Sequence, residues 1–344
     1  NNDPHNPFIE GQIGSSIVRA ALQVIPASLL AFWAPGFHTI TSEKDEEALQ
    51  NARQSIPASL MDALDKAATQ RHLLVATDFD GTLAPLVRNP RKAAPIPGSL
   101  EALDTLATIP HTKAAIVSGR DIAGLRKVAP VTRDVTLVGS HGAEISDSDH
   151  ELTKHQRDLL KRLIEEVTQT ADSIPGATIE EKKYAVVLHT RTAQDPHEAK
   201  KRTVELEERL SAVPGVTLTR GKKVSEFAVI NTTKDAALAS LAARWPTGAD
   251  AILYLGDDVT DEHIFTGLPA RITTPQTEII TVKVGEGDTA AQYRIANELE
   301  AAAVLDYLCE QRNHYANAHF TWKDRKQHRK DSRSRARRMA YSAD

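Results

Sequence analysis

The chain has 344 residues, room for about two domains at ~150 residues each, and 41% of them are hydrophobic, enough to bury a sizeable core. A net charge of -4 excludes a molecule held to nucleic acid by its overall field. The single cysteine, Cys309, excludes an intrachain disulfide and a cysteine-built metal site, in keeping with a reducing, cytoplasmic setting.

The N-terminal stretch "SSIVRAALQVIPASLLAFWAPGF" (15 to 37) comes closest to a membrane span, but Arg19 and Gln23 interrupt it and Pro26 would kink it. It also makes a poor signal peptide, because Asp3 and Glu10 precede it without any Lys or Arg. Residues 1–69 therefore read as a partly helical or disordered extension. Within them "TSEKDEEALQNARQ" favours helix, and "ASLMDALDKAATQ" places Leu60, Leu64 and Ala67 at helical spacing.

"HLLVATDFD" follows, an apolar run without alternation, as expected of a strand buried on both faces of a parallel sheet. "PGSLEALDTLATIP" predicts a helix, "TKAAIVSGR" a second buried strand, "DIAGLRKVAP" a helix and "VTLVGSHGAE" a third strand. This rhythm predicts a doubly wound α/β fold. After residue 146 it changes to a long helix ("HELTKHQRDLLKRLIEEVTQTAD"), a hairpin turning near Lys182 and Lys183, a second helix and a hairpin turning at Arg220 and Gly221. Helix, hairpin, helix, hairpin predicts an inserted α+β module with an antiparallel sheet. The α/β rhythm resumes with "TKDAALASLAARW", "AILYLGDD", "TDEHIFTGL", "ITVKVGEG" and "ANELEAAAVLDYLCEQ". Residues 311–344 hold ten Lys or Arg against three Asp and few apolar residues, so a basic, disordered tail is expected, one whose removal from residue 312 leaves turnover unchanged.

In open α/β sheets ligands bind beyond the carboxyl ends of the strands. That rule gathers Asp78 and Asp80 after the first strand, Ser118 at the end of the second, Lys234 at a helix start, and Asp257, Asp258 and Asp261 after "AILYLG". Acids crowded into one cleft repel one another, and a hard cation such as Mg²⁺ would relieve this, since it takes one or two carboxylates plus water and phosphate oxygens. An aspartate can act as a nucleophile toward phosphorus, a second carboxylate two residues on can move the proton, and Lys234 and Ser118 can hold phosphoryl oxygens. The "GT" of "DFDGT" would turn the chain away and bring Thr82 within reach of the phosphate.

"DFDGTLAP", "VSGR", Lys234 and "GDDVTDE" resemble the four motifs of the haloacid dehalogenase superfamily of phosphotransferases. "GSHGAE" (139 to 144), "EEKKYAVVLHTR" (180 to 191), "GKKVSE" (221 to 226) and "GDDVTDEHIF" are similar to stretches of trehalose-6-phosphate phosphatases, and the resemblance covers about residues 70 to 310. It implies a Rossmann-like core of residues 70–146 and 228–310, with a mixed α/β cap, 147–227, inserted between the second and third motifs. It implies Mg²⁺, Asp78 as nucleophile and Asp80 as acid/base. The metal would lie on Asp78, the Asp80 carbonyl and Asp257, with Asp258 the next candidate and Asp261 orienting them.

By the same resemblance Glu180, Lys182 and Glu226 of the cap read the sugar, with His189, Arg191 and Lys222 as further candidates. His141 and Glu144 would face the cleft near the hinge, and Arg120 would bind substrate beside Ser118. Two positions depart from the family pattern: Thr190 replaces an aromatic residue between His and Arg, and Asp235 follows the motif lysine where Gly is common. The implied reaction is hydrolysis of trehalose 6-phosphate through an aspartyl-phosphate, the last step of trehalose biosynthesis. The expected protein is a cytoplasmic monomer with a small sugar-phosphate partner and no membrane. Nucleic acid is not expected, the basic tail being its only hint. Rival readings are a phosphatase for sucrose phosphate or mannosyl-phosphoglycerate, and a sugar-phosphate-binding protein without catalysis.

Overall fold

The computed structural model describes residues 42–148 and 152–341, and side chains as far as 336. The segment 15–37 lies outside the described residues. Among those described, no helix is long and apolar enough to cross a membrane.

Two helices open the described chain, α1 (Glu43–Gln54) and α2 (Ala58–Ala68). Ser42 caps α1 by accepting from the Asp45 N–H, and three acids in its first turn suit the positive dipole end. Leu49, Ala52 and Ile56, together with Leu60, Leu64 and Ala67 of α2, join the main hydrophobic core. Residues 43–68 are thus a packed layer of the fold rather than an appendage.

The seven-stranded sheet holds β1 (Leu73–Thr77), β2 (Thr112–Val117), β3 (Thr136–Gly139), β4 (Glu144–Ile145), β9 (Ala251–Gly256), β10 (Glu278–Val284) and β11 (Tyr293–Ile295). Its order is β11-β10-β9-β1-β2-β3-β4, parallel except where β4 runs against β3. Every residue of β1 and β9 is buried, which is why their sequences run apolar without alternation. Leu73, Val75, Ile116, Leu253 and Leu255 face the layer of α2, α3 (Ser99–Thr108) and α9 (Glu298–His319). Leu74, Ala76, Val117, Ile252 and Tyr254 face α7 (Lys234–Ala242) and α8 (Val259–Arg271). Helix α4 (Ile122–Val128) links β2 to β3.

From β1 the chain moves one way to β2 and β3, and later returns to β9 on the other side of β1. The strand order therefore reverses between β1 and β9, and a crevice opens beyond their carboxyl ends. The second sheet, β5 (Thr178–Glu181), β6 (Ala185–His189), β8 (Val224–Ala228) and β7 (Thr217–Gly221), is antiparallel throughout. Helices α5 (Lys154–Asp172) and α6 (Pro196–Ser211) cover one of its faces through Leu163, Val167, Leu206, Leu210, Val186, Leu188 and Phe227.

Three local expectations are corrected. The third predicted strand stops at Gly139: Ser140, His141 and Gly142 take φ of 50°, 53° and 108°, so the chain doubles back and Glu144 pairs with Gly139. The second hairpin turns at Lys222 and Lys223, the latter at φ 61°, two residues beyond Arg220 and Gly221 where the sequence placed it. The short strand β11 carries no apolar run and was not legible.

The fourth correction concerns residues 311–344. Helix α9 continues to His319, and α10 (Trp322–Tyr341) follows. The Arg312 guanidinium, with no exposed surface, donates to Thr112 Oγ1 at 3.0 Å and to the carbonyls of Ala68 (2.8 Å), Gln70, Arg71 (2.9 Å) and His111 (3.3 Å). On α10, Asp324 meets His111 at 2.8 Å, His328 meets the Ala107 carbonyl at 3.0 Å and Ser332 donates to Asp134 at 2.6 Å. Few apolar residues argued for disorder, but polar side chains at four-residue spacing fasten this helix instead. Burial depresses the Arg312 pKa to about 10, yet its five acceptors hold it in place.

Arg312→Met removes the partner of Thr112, of the buried Ala68 carbonyl and of three part-buried carbonyls, and is expected to cost about 3 kcal/mol or more of stability. Urea unfolding followed by circular dichroism checks this; a loss under about 1 kcal/mol would show that the buried fork is dispensable.

Candidate active site

Asp78 is the first residue past β1. Its N–H donates to the Leu255 carbonyl of β9 at 2.8 Å, so the sheet itself aims the side chain into the crevice. The loop after it closes tightly: the N–H groups of Leu83 and Ala84 donate to the Phe79 carbonyl at 2.9 and 3.0 Å. Gly81 is required at φ 81°, where a Cβ would stand 2.1 Å from the Asp257 carboxylate. Thr82 is buried beneath this turn and donates to Asp257 Oδ1 at 3.2 Å. It therefore steadies an acid and does not reach toward a phosphate, correcting the expectation for that residue.

The opposite wall is the β9–α8 loop. Asp261 has no exposure and accepts four hydrogen bonds. Lys234 Nζ (2.9 Å) and the Tyr254 hydroxyl (2.7 Å) reach Oδ1, and the N–H groups of Asp257 (3.0 Å) and Asp258 (3.1 Å) reach Oδ2. Asp258 caps α8, its Oδ1 accepting from the Thr260 N–H at 2.8 Å and hydroxyl at 2.7 Å. Burial alone would raise the Asp258 pKa, but those hydrogen bonds and Lys234 hold it below the ordinary value.

Lys234 opens α7 as expected from sequence, almost fully buried, with Nζ 2.9 Å from both Asp78 Oδ1 and Asp261 Oδ1. Burial disfavours its charge, but the two carboxylates outweigh that and its pKa is raised. Asp78 is pushed well above the usual carboxyl range, first by burial and then by Asp261 and Asp257, against the pull of Lys234. Burial, then Asp261 and Asp258, lifts Asp257 to about 7. Asp235, the departure beside Lys234, pairs with Arg271 and ties α7 to α8.

The third wall comes from β2 and β3. Ser118 is buried at the end of β2, and its Oγ accepts the Arg120 N–H at 3.1 Å. Arg120 grips Asp80 with two parallel bonds, Nε and Nη2 each 2.6 Å from a carboxylate oxygen. His141 covers Gly119, where a Cβ would come within 2.7 Å of the ring. Glu144 is buried and accepts from Ser140 Oγ at 2.6 Å; it braces the turn and does not line the cleft. The cleft has a volume of about 510 Å³ and is bounded by Asp78, Asp80, Ser118, Arg120, His141, Lys234, Asp257 and Asp258.

Strand alternation sorts the cap residues. Val186, Leu188 and Phe227 point to the cap helices, so Glu180, His189 and Glu226 occupy the opposite, open face of the sheet. There Lys182 Nζ meets Glu226 at 2.6 Å and His189 meets Glu180 at 3.0 Å. Burial lowers the His141 pKa, and the charges it feels include Lys234 of the core with Glu226 and Lys182 of the cap. The open face and the cleft are thus electrostatic neighbours. Arg191 and Lys222 lie exposed in the two loops that the Thr190 N–H to Lys223 carbonyl bond joins at 3.0 Å.

Sequence reasoning missed two supports. Tyr254 stands two positions before the motif, yet its hydroxyl reaches Asp261, and burial followed by that carboxylate raises its pKa. Lys283 is the one charged residue of "ITVKVG"; it is buried, donates to the Asp257 carbonyl and lies 3.8 Å from Glu262. A lone lysine in an apolar strand was the available signal.

One ligand atom from each of Asp78, Asp257 and Asp261 lies within 4.8 Å of the others. Asp261 is already saturated by four donors, which leaves Asp78 and Asp257 as the carboxylates able to bind. Two carboxylates brought together in a buried crevice are oxygen donors of the kind a hard divalent ion takes, so this donor set fits one.

Residues 76–298 match the family model described as trehalose-phosphatase. The chain is 33% identical over 257 residues to an "uncharacterized glycosyl hydrolase" of Mycobacterium tuberculosis, covering 71% of this chain but only 19% of that protein. It is 30% identical over 298 residues to a trehalose-phosphate phosphatase of the same organism, covering 80% of this chain and 72% of that one. Among solved structures, that of Aspergillus fumigatus trehalose-6-phosphate phosphatase superposes with a TM-score of 0.55 at 28% identity, over 74% of this chain and 97% of that one. The match begins at the last residues of β1 and takes in the cleft and the cap alike, and the chain belongs to the trehalose-phosphatase family.

Proposed function

We propose that this chain hydrolyses trehalose 6-phosphate to trehalose and inorganic phosphate. The observation that carries the reading is the buried contact of Asp78 with Lys234 at the switch point of the sheet, inside a chain of this family. Asp78 is aimed by the backbone of β1 and β9, and Lys234 favours its ionised form against the burial that opposes it.

In the proposed reaction an Asp78 carboxylate oxygen attacks phosphorus as the bond from phosphorus to the sugar oxygen breaks. Asp80 gives that leaving oxygen a proton. Water then attacks the aspartyl-phosphate, giving up a proton to Asp80, and phosphate leaves with Asp78 restored. Arg120 holds both oxygens of Asp80, so proton transfer requires that carboxyl to release one of these bonds. Ser118 and Lys234 would bind phosphoryl oxygens. Asp78, Asp257 and the Asp80 carbonyl would hold Mg²⁺, with Asp258 beside them, and Asp261 keeps that loop in register. The bound ion would neutralise charge on the phosphoryl group. The open face of the cap, with Glu226, Lys182, Glu180 and His189, supplies acceptors and donors for sugar hydroxyls.

Phosphate release from trehalose 6-phosphate and other sugar phosphates, with and without Mg²⁺, tests the reading. Asp78→Asn is expected to abolish turnover with the fold retained, and Asp80→Asn to lower kcat on the order of 10² or more. Near-normal release by the Asp78 variant would sink the mechanism.

Lys182→Met and Glu226→Gln are expected to raise KM for trehalose 6-phosphate at least about tenfold, while leaving hydrolysis of p-nitrophenyl phosphate within about twofold. Equal losses on both substrates would remove the cap from sugar recognition.

A further prediction concerns the metal-free protein. Folding raises the Asp257 pKa from 3.8 to about 7, so between those values the folded state binds more protons than the unfolded chain. This group's contribution therefore turns unfavourable as pH rises through the window. In chelator, Asp257→Asn is expected to raise Tm at pH 7.5 by more than at pH 5, read by scanning calorimetry. An equal effect at both pH values would show that Asp257 ionises freely.

A further inference from the structure

Helix α10 presents two faces of opposite character. Its half-buried residues, Asp324, His328, Ser332 and Arg335, recur at helical spacing and meet the body of the protein. Its exposed face carries Trp322, Lys323, Lys326, Arg329, Lys330 and Arg333, which line one shallow groove. At 100° per residue these six fall within an arc of about 120°. Residues 322–341 hold nine Lys or Arg and two Asp, although the whole chain is net -4. Asp324 is committed to His111 and Thr321, and Asp331 to Gln327. Among the described residues, none of the five outward cations pairs with a carboxylate. Trp322 is 67% exposed, with the Lys326 ammonium 4.8 Å from the centre of its ring.

We propose that the outward face of α10 docks single-stranded nucleic acid, holding its phosphodiester backbone on the cationic stripe and stacking a base on Trp322. Residues three and four apart on a helix stand about 5–6 Å from each other, so the stripe offers cations at a spacing suited to an extended strand. It runs roughly 15 Å from Lys323 to Arg333, at 1.5 Å per residue. The acidic remainder of the protein does not cancel it, because exposed charges more than about 8 Å away are screened at physiological salt. A flexible strand can follow this narrow stripe, whereas a flat lipid surface would bring the acidic body into contact as well. A membrane would also ask for an apolar face, and α10 has turned its inner face to the protein, leaving Trp322 as the large apolar group outside among its described side chains. An exposed indole beside cations is the arrangement that binds stacked bases with little sequence preference.

Fluorescence anisotropy of a labelled 20-nucleotide oligothymidylate, titrated with the full chain at several salt concentrations, tests this. Binding at low salt is expected. Replacing Lys326, Lys330 and Arg333 by Gln should weaken it about tenfold or more and reduce the log–log salt slope by about 2, at roughly 0.7 per lost phosphate contact. Trp322→Ala should weaken it about fivefold or more at unchanged slope. These side chains face outward, so an unchanged Tm reports that the variants are folded. No anisotropy change at 50 mM salt, binding that survives the triple substitution, or sedimentation with phosphatidylserine vesicles in place of oligonucleotide binding would each overturn the proposal.

Discussion

The catalytic end of this fold depends on one carboxylate that never meets solvent. Asp261 accepts from Lys234, Tyr254 and two backbone N–H groups, and through them joins α7, β9 and the β9–α8 loop. The bonds are mutually conditional. Without Asp261 the Lys234 ammonium would be buried against Asp78 alone, and the N–H groups that shape the Asp257–Asp258 turn would lose their acceptor. Gly256 belongs to the same constraint, since a Cβ there would stand 2.4 Å from the Asp261 carboxyl carbon. The loop is drawn onto its own acid so closely that no side chain fits between.

Division of labour between the two sheets follows from their construction. The large sheet is parallel but for β4, and its central strands are buried on both faces, so it can offer chemistry only at its edges, and the switch between β1 and β9 makes the usable edge. The small sheet is antiparallel with helices on one face, so the other face is free to be polar. Its charges are paired with each other: Lys182 with Glu226, and His189 with Glu180. A polar ligand exchanging hydrogen bonds with such pairs would meet groups already oriented, which would lower the cost of ordering them at binding.

Much of this was legible in the sequence. The buried strands announced themselves as apolar runs, and Asp78, Ser118, Lys234 and Asp257 converge because each sits at a strand end or helix start. What the sequence hid depends on contacts between distant segments. Thr82 turns to Asp257, 175 positions away, and Glu144 folds beneath Ser140 because the chain reverses at His141. Helix α10 was hidden most fully. Composition measures apolar content, and its anchors are Asp324, His328 and Ser332, meeting partners in loops and in the last turn of α3 that no periodicity links to it.

Charge within the cleft sets a final constraint. Asp78, Asp80, Asp257, Asp258 and Asp261 face Lys234, Lys283 and Arg120, a nominal excess of two negative charges around a cavity of about 510 Å³. A phosphate monoester brings a further ~1.5 to 2 negative charges at neutral pH. Such a ligand would be repelled by the cleft as the side chains alone compose it. Burial first, and then the neighbouring acids, raise the pKa values of Asp78 and Asp257. A group of charge +2 beside these two acids would balance the site. The acids that would make the site reactive are also those that make it depend on a cation before it can receive an anionic substrate.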